Sequence, residues 1–175
     1  VGRSDLILTE LMGYARLSEG RIEKIDVKEE LLGAIEEVFP PNHTFLVEIK
    51  KYVSDVLPPL MMQRAHLREI IVNLLVNARE AAGGRGGLVQ VFCKSSPNYE
   101  IELRVKDSGA GIPTDQSEQI FEAYFTTKKK GTGLGLSIVK QNTELYGGEV
   151  QVESELGDGT EFILTFPTRV LSRDI

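Results

Sequence analysis

At 175 residues the chain has room for one domain with a helical extension, enough to bury a real core. Hydrophobic residues make up 41% and charged residues 26%, the profile of an ordinary folded globular protein and not of a disordered one. A net charge of −6 argues against broad nucleic-acid binding, and the single cysteine, Cys93, excludes an intrachain disulfide or a cysteine zinc cluster. No apolar run approaches the roughly 20 residues of a bilayer-spanning helix, and no signal peptide opens the chain. The first residue is Val1, so the chain is read as a piece of a longer protein.

In chain order, Ser4 to Leu17 has helical periodicity: Leu8, Leu11, Met12 and Ala15 share one side, Ile7 lies at its margin, and Gly20 is the stop. Asp26-Val27-Lys28-Glu29 has the form of a capping box and starts a second helix, which ends before Pro40-Pro41. Phe45, Val47 and Ile49 alternate with polar residues, the period of a half-buried strand. A short strand is expected at Asp55 to Leu57, broken by Pro58-Pro59. A long helix follows from Arg64 to Ala82, with Leu67, Ile70, Ile71, Leu74, Leu75 and Ala78 on its core face and a glycine-rich stop from Gly83 to Gly87. Leu88 to Lys94 and Tyr99 to Lys106 read as a hairpin, with Cys93 a small core residue of a reducing compartment and Ile101, Leu103 and Val105 on one side. Ile112 to Gly131 lacks sustained periodicity apart from a turn around Ser117 to Phe125. A helix from Gly133 to Tyr146 and two strands, Glu149 to Ser154 and Thr160 to Phe166, complete the chain. Strands mixed with three long helices predict an α+β sandwich, a mixed sheet with helices on one face.

Three stretches carry chemistry. In Asn73-Leu74-Leu75-Val76-Asn77 the two amides stand one turn apart on one helix face. An amide carbonyl is a neutral oxygen ligand suited to Mg²⁺; alone, the pair is better explained as solvated helix residues, although asparagine is a poor helix former. Asp107-Ser108-Gly109-Ala110-Gly111-Ile112 places a carboxylate at a strand end, able to accept from an exocyclic amine such as that of adenine. Its glycines let a flat base approach the backbone, though a plain turn has the same form. Gly131-Thr132-Gly133-Leu134-Gly135-Leu136 opens a helix with a glycine-rich turn, where backbone N–H groups and the helix dipole bind anions. A dinucleotide fingerprint would need glycine where Leu136 stands, and no Gly-Lys pair exists for a Walker-type phosphate loop. Lys128-Lys129-Lys130 lies just upstream and is read as neutralising phosphates. Phe121 and Phe125 would pin that segment, which has the makings of a lid. His43 and His66 lack metal-ligand spacing and are read as surface or boundary residues.

Taken together, these stretches resemble the boxes of sensor histidine kinases. Asn73 to Asn77 is similar to the N box, Asp107 to Ile112 to the G1 box, Phe121 to Lys128 to the F box and Gly131 to Leu136 to the G2 box. Gly157-Asp158-Gly159-Thr160 is similar to the final glycine–threonine turn, and the resemblance runs from Asp26 to Pro167. It implies the Bergerat fold shared with DNA gyrase, a two-layer α/β sandwich whose mixed sheet lies under three helices, and ATP and Mg²⁺ as cofactors. By this resemblance Asn73 and Asn77 form the catalytic pair, Asn77 binds Mg²⁺, Asp107 reads the adenine N6 and Thr160 backs that contact. Glu80, Ala81, Gly109, Gly111 and Ile112 line the nucleotide. Lys128, Gly131, Thr132, Gly133, Leu134, Gly135 and Leu136 hold its phosphates.

The same resemblance divides the chain into residues 1–25, a remnant second helix of the dimerisation and phosphoacceptor hairpin, and residues 26–175, the ATP-binding catalytic domain. The implied partners are that hairpin, whose target histidine this chain lacks, and a response-regulator receiver domain. The parent would be a bacterial homodimer with this part in the cytoplasm, touching neither nucleic acid nor membrane, though the parent itself can be membrane-anchored. Two departures stand out: relatives often carry a basic residue where Glu80 lies, with Arg79 one place early, and Gln63 is a poor N-cap. Asn73 occupies the place where ATP-hydrolysing relatives carry a glutamate base, so slow hydrolysis and phosphoryl transfer to histidine are expected. A serine kinase of the anti-sigma type and a non-catalytic nucleotide-binding regulator remain the alternatives.

Overall fold

The computed structural model describes residues 20–122 and 135–168. Strand β1 (Glu23–Ile25) leads into helix α1 (Val27–Val38), then β2 (Glu48–Val53), β3 (Leu60–Met62) and helix α2 (Arg64–Ala82). Strands β4 (Leu88–Ser96) and β5 (Glu100–Asp107) form a hairpin. Two short 3₁₀ turns precede helix α3 (Gly135–Leu145) and the closing strands β6 (Glu149–Glu155) and β7 (Gly159–Pro167). The main sheet runs β2-β4-β5-β7-β6, with β2 parallel to β4 and every other pair antiparallel. This is the expected mixed sheet, and α1, α2 and α3 cover one face of it.

Period-two alternation explains which face is covered. Val89, Val91 and Cys93 of β4, Ile101, Leu103 and Val105 of β5, and Phe162, Leu164 and Phe166 of β7 are all buried under the helices. Between them lie the apolar stripes of α1 (Leu31, Ala34, Ile35, Val38) and α2 (Leu67, Ile70, Ile71, Leu74, Leu75, Ala78). Each fully buried Leu or Ile contributes about 1.5–3 kcal/mol. On the other face Tyr52 stacks on Phe92 with ring centroids 4.9 Å apart, and Arg104 donates to Glu161 at 2.5 Å.

The N-cap of α1 is Asp26, whose Oδ1 accepts from the Glu29 amide at 3.1 Å, and the helix ends before the prolines. Helix α2 runs as expected, and Gln63 makes no side-chain cap. The Tyr146 hydroxyl, just past the end of α3, accepts from the Gln63 amide at 3.2 Å and stands 2.5 Å from His66 Nδ1.

Four expectations need correction. The strand expected at Phe45–Ile49 begins at Glu48, because Glu48 is the first residue in register with β4; Phe45 is 43% exposed and packs under the Arg79 guanidinium, 4.1 Å from its ring centroid. No strand forms at Asp55–Leu57. Leu60–Met62, beyond the prolines, pairs instead with Glu23–Ile25, a partner far upstream that local periodicity cannot reveal. That pairing also sets β1, inside the stretch assigned to the hairpin remnant, into the body of the fold, where Ile25 is fully buried. His66 is a buried residue and not a surface or boundary one, since its ring lies between α2 and Tyr146. The helix expected at Ser4–Leu17 lies outside the described residues.

Candidate nucleotide site

Helix α2 carries two polar edges flanking its apolar stripe. Arg64, Arg68 and Arg79 point to α1: Arg64 pairs with Glu30, Arg68 donates to the Glu30 carbonyl at 3.0 Å, and Arg79 donates to the Val38 carbonyl at 2.5 Å. The Glu30 carboxylate holds the Arg64 guanidinium above its ordinary pKa, chiefly through their hydrogen bond. The opposite edge, Glu69, Asn73, Asn77 and Glu80, follows the i, i+4, i+8, i+11 spacing of a single helix face. Glu69 accepts from Asn142 of α3 at 3.3 Å, so this edge faces α3.

The first amide is aimed. Asn73 Nδ2 donates back to the Glu69 carbonyl at 2.8 Å, which turns Oδ1 outward. A Cβ placed on Gly135, the first residue of α3, would stand 3.0 Å from that oxygen. The asparagine helix therefore meets the end of the glycine-rich turn through Asn73. Asn77, half-buried, follows one turn later on the same edge. Arg79 is committed to α1 and its aromatic cluster, so it does not stand in for the basic residue missing at Glu80.

The second meeting point lies at the far end of α2. A Cβ on Gly109 would collide with the Ala81 carbonyl, so glycine is what lets the Asp107–Ile112 turn lie against the helix. Within the turn, the Gly109 amide donates to Asp107 Oδ1 at 2.8 Å and orients the carboxylate. Ser108 anchors it below: its amide donates to the Leu88 carbonyl at 3.0 Å and its Oγ accepts from the Leu88 amide at 2.8 Å. Gly111 has φ +82 and its Cβ position is filled by the Glu155 carbonyl. The Gly157 amide donates to the Ala110 carbonyl at 2.7 Å. The turn is thus clamped between α2 and the β6–β7 turn.

Asp107 and Thr160 are direct partners on β5 and β7, and both are buried on the helix face. Ser154, opposite Thr160 on β6, continues the row. Its Oγ lies 2.7 Å from the Ile112 amide, 2.9 Å from the Gly159 carbonyl and 2.9 Å from Thr160 Oγ1. Sequence reasoning missed Ser154, Glu69 and Asn142. The signal for Ser154 was present, since the three-residue turn Leu156-Gly157-Asp158 pairs Glu155 with Gly159 and so puts Ser154 across from Thr160.

Glu80 and Ala81 are exposed at the rim, and Leu136 packs its half-buried side chain against the core at the start of α3. Phe121 meets Phe162 edge-on at 6.0 Å, one of the two expected pins. Phe125, Lys128, Gly131, Thr132, Gly133 and Leu134 lie outside the described residues. Among the described residues no trio of His, Cys, Asp or Glu could hold a metal ion. On that α2 edge, between Glu69 and Glu80, Asn73 and Asn77 offer amide oxygens, which fit a cation that takes most of its shell from phosphate and water. No helix among the described residues is long and apolar enough to cross a membrane.

The profile of the family described as histidine kinase-, DNA gyrase B- and HSP90-like ATPase matches residues 62–170. Among individual proteins, the sensor histidine kinase ZraS of Escherichia coli (strain K12) is 30% identical over 172 residues, which are 98% of this chain and 37% of that protein. The chain therefore spans little more than a third of that relative. Among solved structures, the catalytic domain of histidine kinase ThkA superposes with a TM-score of 0.75 at 26% identity, over 85% of this chain and 96% of that one. ThkA has also been solved in complex with the response regulator TrrA; that structure aligns at 22% identity and TM-score 0.75, over 96% of this chain and 48% of that one, and bears on fold alone. Full-length ShkA in complex with AMPPNP superposes at 0.76 with 30% identity, over 94% of this chain and 36% of that one.

Proposed function

The chain belongs to the histidine kinase-, DNA gyrase B- and HSP90-like ATPases, on the sensor histidine kinase branch, and from that premise we propose that it binds Mg-ATP and passes the γ-phosphoryl group to a histidine of the phosphoacceptor hairpin, a residue outside this chain. The observation that carries the reading is the double contact of α2: Asn73 against Gly135 at the α3 start, and Ala81 against Gly109 beside Asp107. A ligand with an adenine-like base at one end and anionic groups at the other would span both.

In this reading Asp107 accepts from the adenine amine, Thr160 backs it, and Gly109, Gly111 and Ile112 form the floor under the base. Glu80 and Ala81 edge the pocket. Asn73 and Asn77 orient the triphosphate, and Asn77 would be the protein's ligand to Mg²⁺, which when bound neutralises phosphate charge. Gly131, Thr132, Gly133, Leu134, Gly135 and Leu136, with Lys128, would hold the phosphates at the positive end of α3. Asn73 cannot take a proton from water as a carboxylate would, so the pocket retains ATP for transfer. ShkA was solved with AMPPNP, an ATP analogue, and ThkA with a response regulator; we extend both partnerships to this chain, a receiver domain being the onward acceptor. We also assign residues 1–25 to the hairpin side and 26–175 to the catalytic domain, with the adjustment that β1 travels with the latter. A cytoplasmic setting in a homodimeric bacterial kinase follows from the same reading.

The test is reconstitution. A separately made hairpin bearing the phosphoacceptor histidine is mixed with this chain and Mg-ATP labelled at the γ-phosphate. Acid-labile label should appear on the hairpin and vanish with Asp107→Asn. Acid-stable label on a serine of another protein, or equal labelling with the variant, would overturn the proposal.

A further inference from the structure

We propose that Ser154 is the positioning residue that gives the base site its preference for a 6-amino purine, by fixing the direction of the Thr160 hydroxyl proton. This role presupposes the adenine site proposed above and assigns a residue to it that the boxes do not contain.

The inference follows from counting protons. Ser154 Oγ has three close neighbours: the Ile112 amide at 2.7 Å, the Gly159 carbonyl at 2.9 Å and Thr160 Oγ1 at 2.9 Å. A serine hydroxyl carries one proton and two lone pairs. The Ile112 N–H can only donate, which occupies one lone pair. The Gly159 carbonyl can only accept, which takes the one proton. The remaining contact must then be made by the Thr160 proton, donated into the second lone pair of Ser154. Every capacity of Ser154 is used, and Thr160 is left with lone pairs alone on its other side.

Geometry carries this toward the base. Asp107, Thr160 and Ser154 are successive cross-strand partners on β5, β7 and β6, so their side chains share one face of the sheet. Asp107 is held by the Gly109 amide at 2.8 Å, at the glycine turn where a base can approach. The row therefore shows the ligand acceptors only, a carboxylate followed by a hydroxyl turned to accept. A 6-amino group donates into such a row, whereas a 6-oxo group sets acceptor against acceptor. The turn of Ser154 onto Ile112 also holds the far end of the glycine loop, so one side chain both shapes the floor and sets its polarity.

The test compares ATP with inosine triphosphate, which carries an oxo group where ATP carries its amine, by calorimetric titration of this chain. The native protein should favour ATP by about tenfold or more, the worth of one mismatched buried hydrogen bond. Ser154→Ala frees the Thr160 proton and should lower the ATP-to-inosine preference by about tenfold, while Ser154→Thr, which keeps a hydroxyl, should retain it. A merely structural serine predicts equal losses for both nucleotides; that result, or an unchanged preference in Ser154→Ala, overturns the proposal. Should Ser154→Ala not fold, Thr160→Val answers the same question, because an undiminished preference without any hydroxyl there also overturns it. Failure of the native chain to bind either nucleotide would instead overturn the adenine site itself.

Discussion

Two glycines in the Asp107–Ile112 turn do different work, and substitution separates them. Gly109 is required by approach: a methyl group would push the turn off the Ala81 carbonyl, so Gly109→Ala should destabilise the fold by about 1–3 kcal/mol and weaken ATP binding more than Asp107-independent contacts would. Gly111 is required by conformation as well as by the Glu155 carbonyl, since φ +82 costs a residue with a Cβ about 1–2 kcal/mol before any clash. Gly111→Ala should therefore lower the urea midpoint at least as far as Gly109→Ala does. Cys93 illustrates burial acting on a titrating group. Removal from water, with the nearby Glu102 charge adding to it, pushes its thiol from 9.0 up to about 12. The folded thiol keeps its proton where the unfolded one has lost it, so its contribution to stability is complete below pH 9.0 and is lost as pH rises toward about 12. Alkylation at pH 8 should label Cys93 only after denaturant is added; labelling of the folded chain would contradict its burial.

At the level of elements, α2 works as a beam with two sides. Its arginine edge ties it to α1, and its amide edge faces α3 and the glycine turns, so the apolar stripe between them can be buried without sacrificing either. The α3 helix is held at its far end by Tyr146, whose hydroxyl accepts from the Gln63 amide at the start of α2 and also meets His66. Burial raises the pKa of that phenol. Tyr146→Phe leaves the Gln63 amide and the His66 ring nitrogen without this partner and should cost about 1–2 kcal/mol in urea unfolding. Because the α3 start stands against Asn73, the same change should also weaken ATP binding. A variant with native stability and native affinity would show that this end of α3 is not anchored by Tyr146.

Across the whole molecule the proposed nucleotide bridges α2, the start of α3 and the β5 and β7 strand ends, which belong to one core. Binding to the folded state alone stabilises it by mass action, so Mg-ATP at 100 times its dissociation constant should add about 2.7 kcal/mol. The melting temperature should rise accordingly, and Asp107→Asn should abolish the rise. Much of this molecule was legible beforehand. A helical stripe marked α2 and alternation marked β5 because each buries one face against a single shared core, a capping box and two prolines marked α1, and glycine spacing marked the turns because only glycine tolerates those approaches. What escaped was whatever depends on a partner distant in sequence: the β1–β3 pair, the start of β2, the buried His66 and the diversion of Arg79 to α1. The amino-acid order by itself determined the layers, the boxes and the family, since local propensity and side-chain chemistry are properties of neighbouring residues. Tertiary structure alone decided which polar edge of α2 meets which helix and where the Thr160 proton points, since those depend on hydrogen bonds between strands and helices that only packing brings within reach.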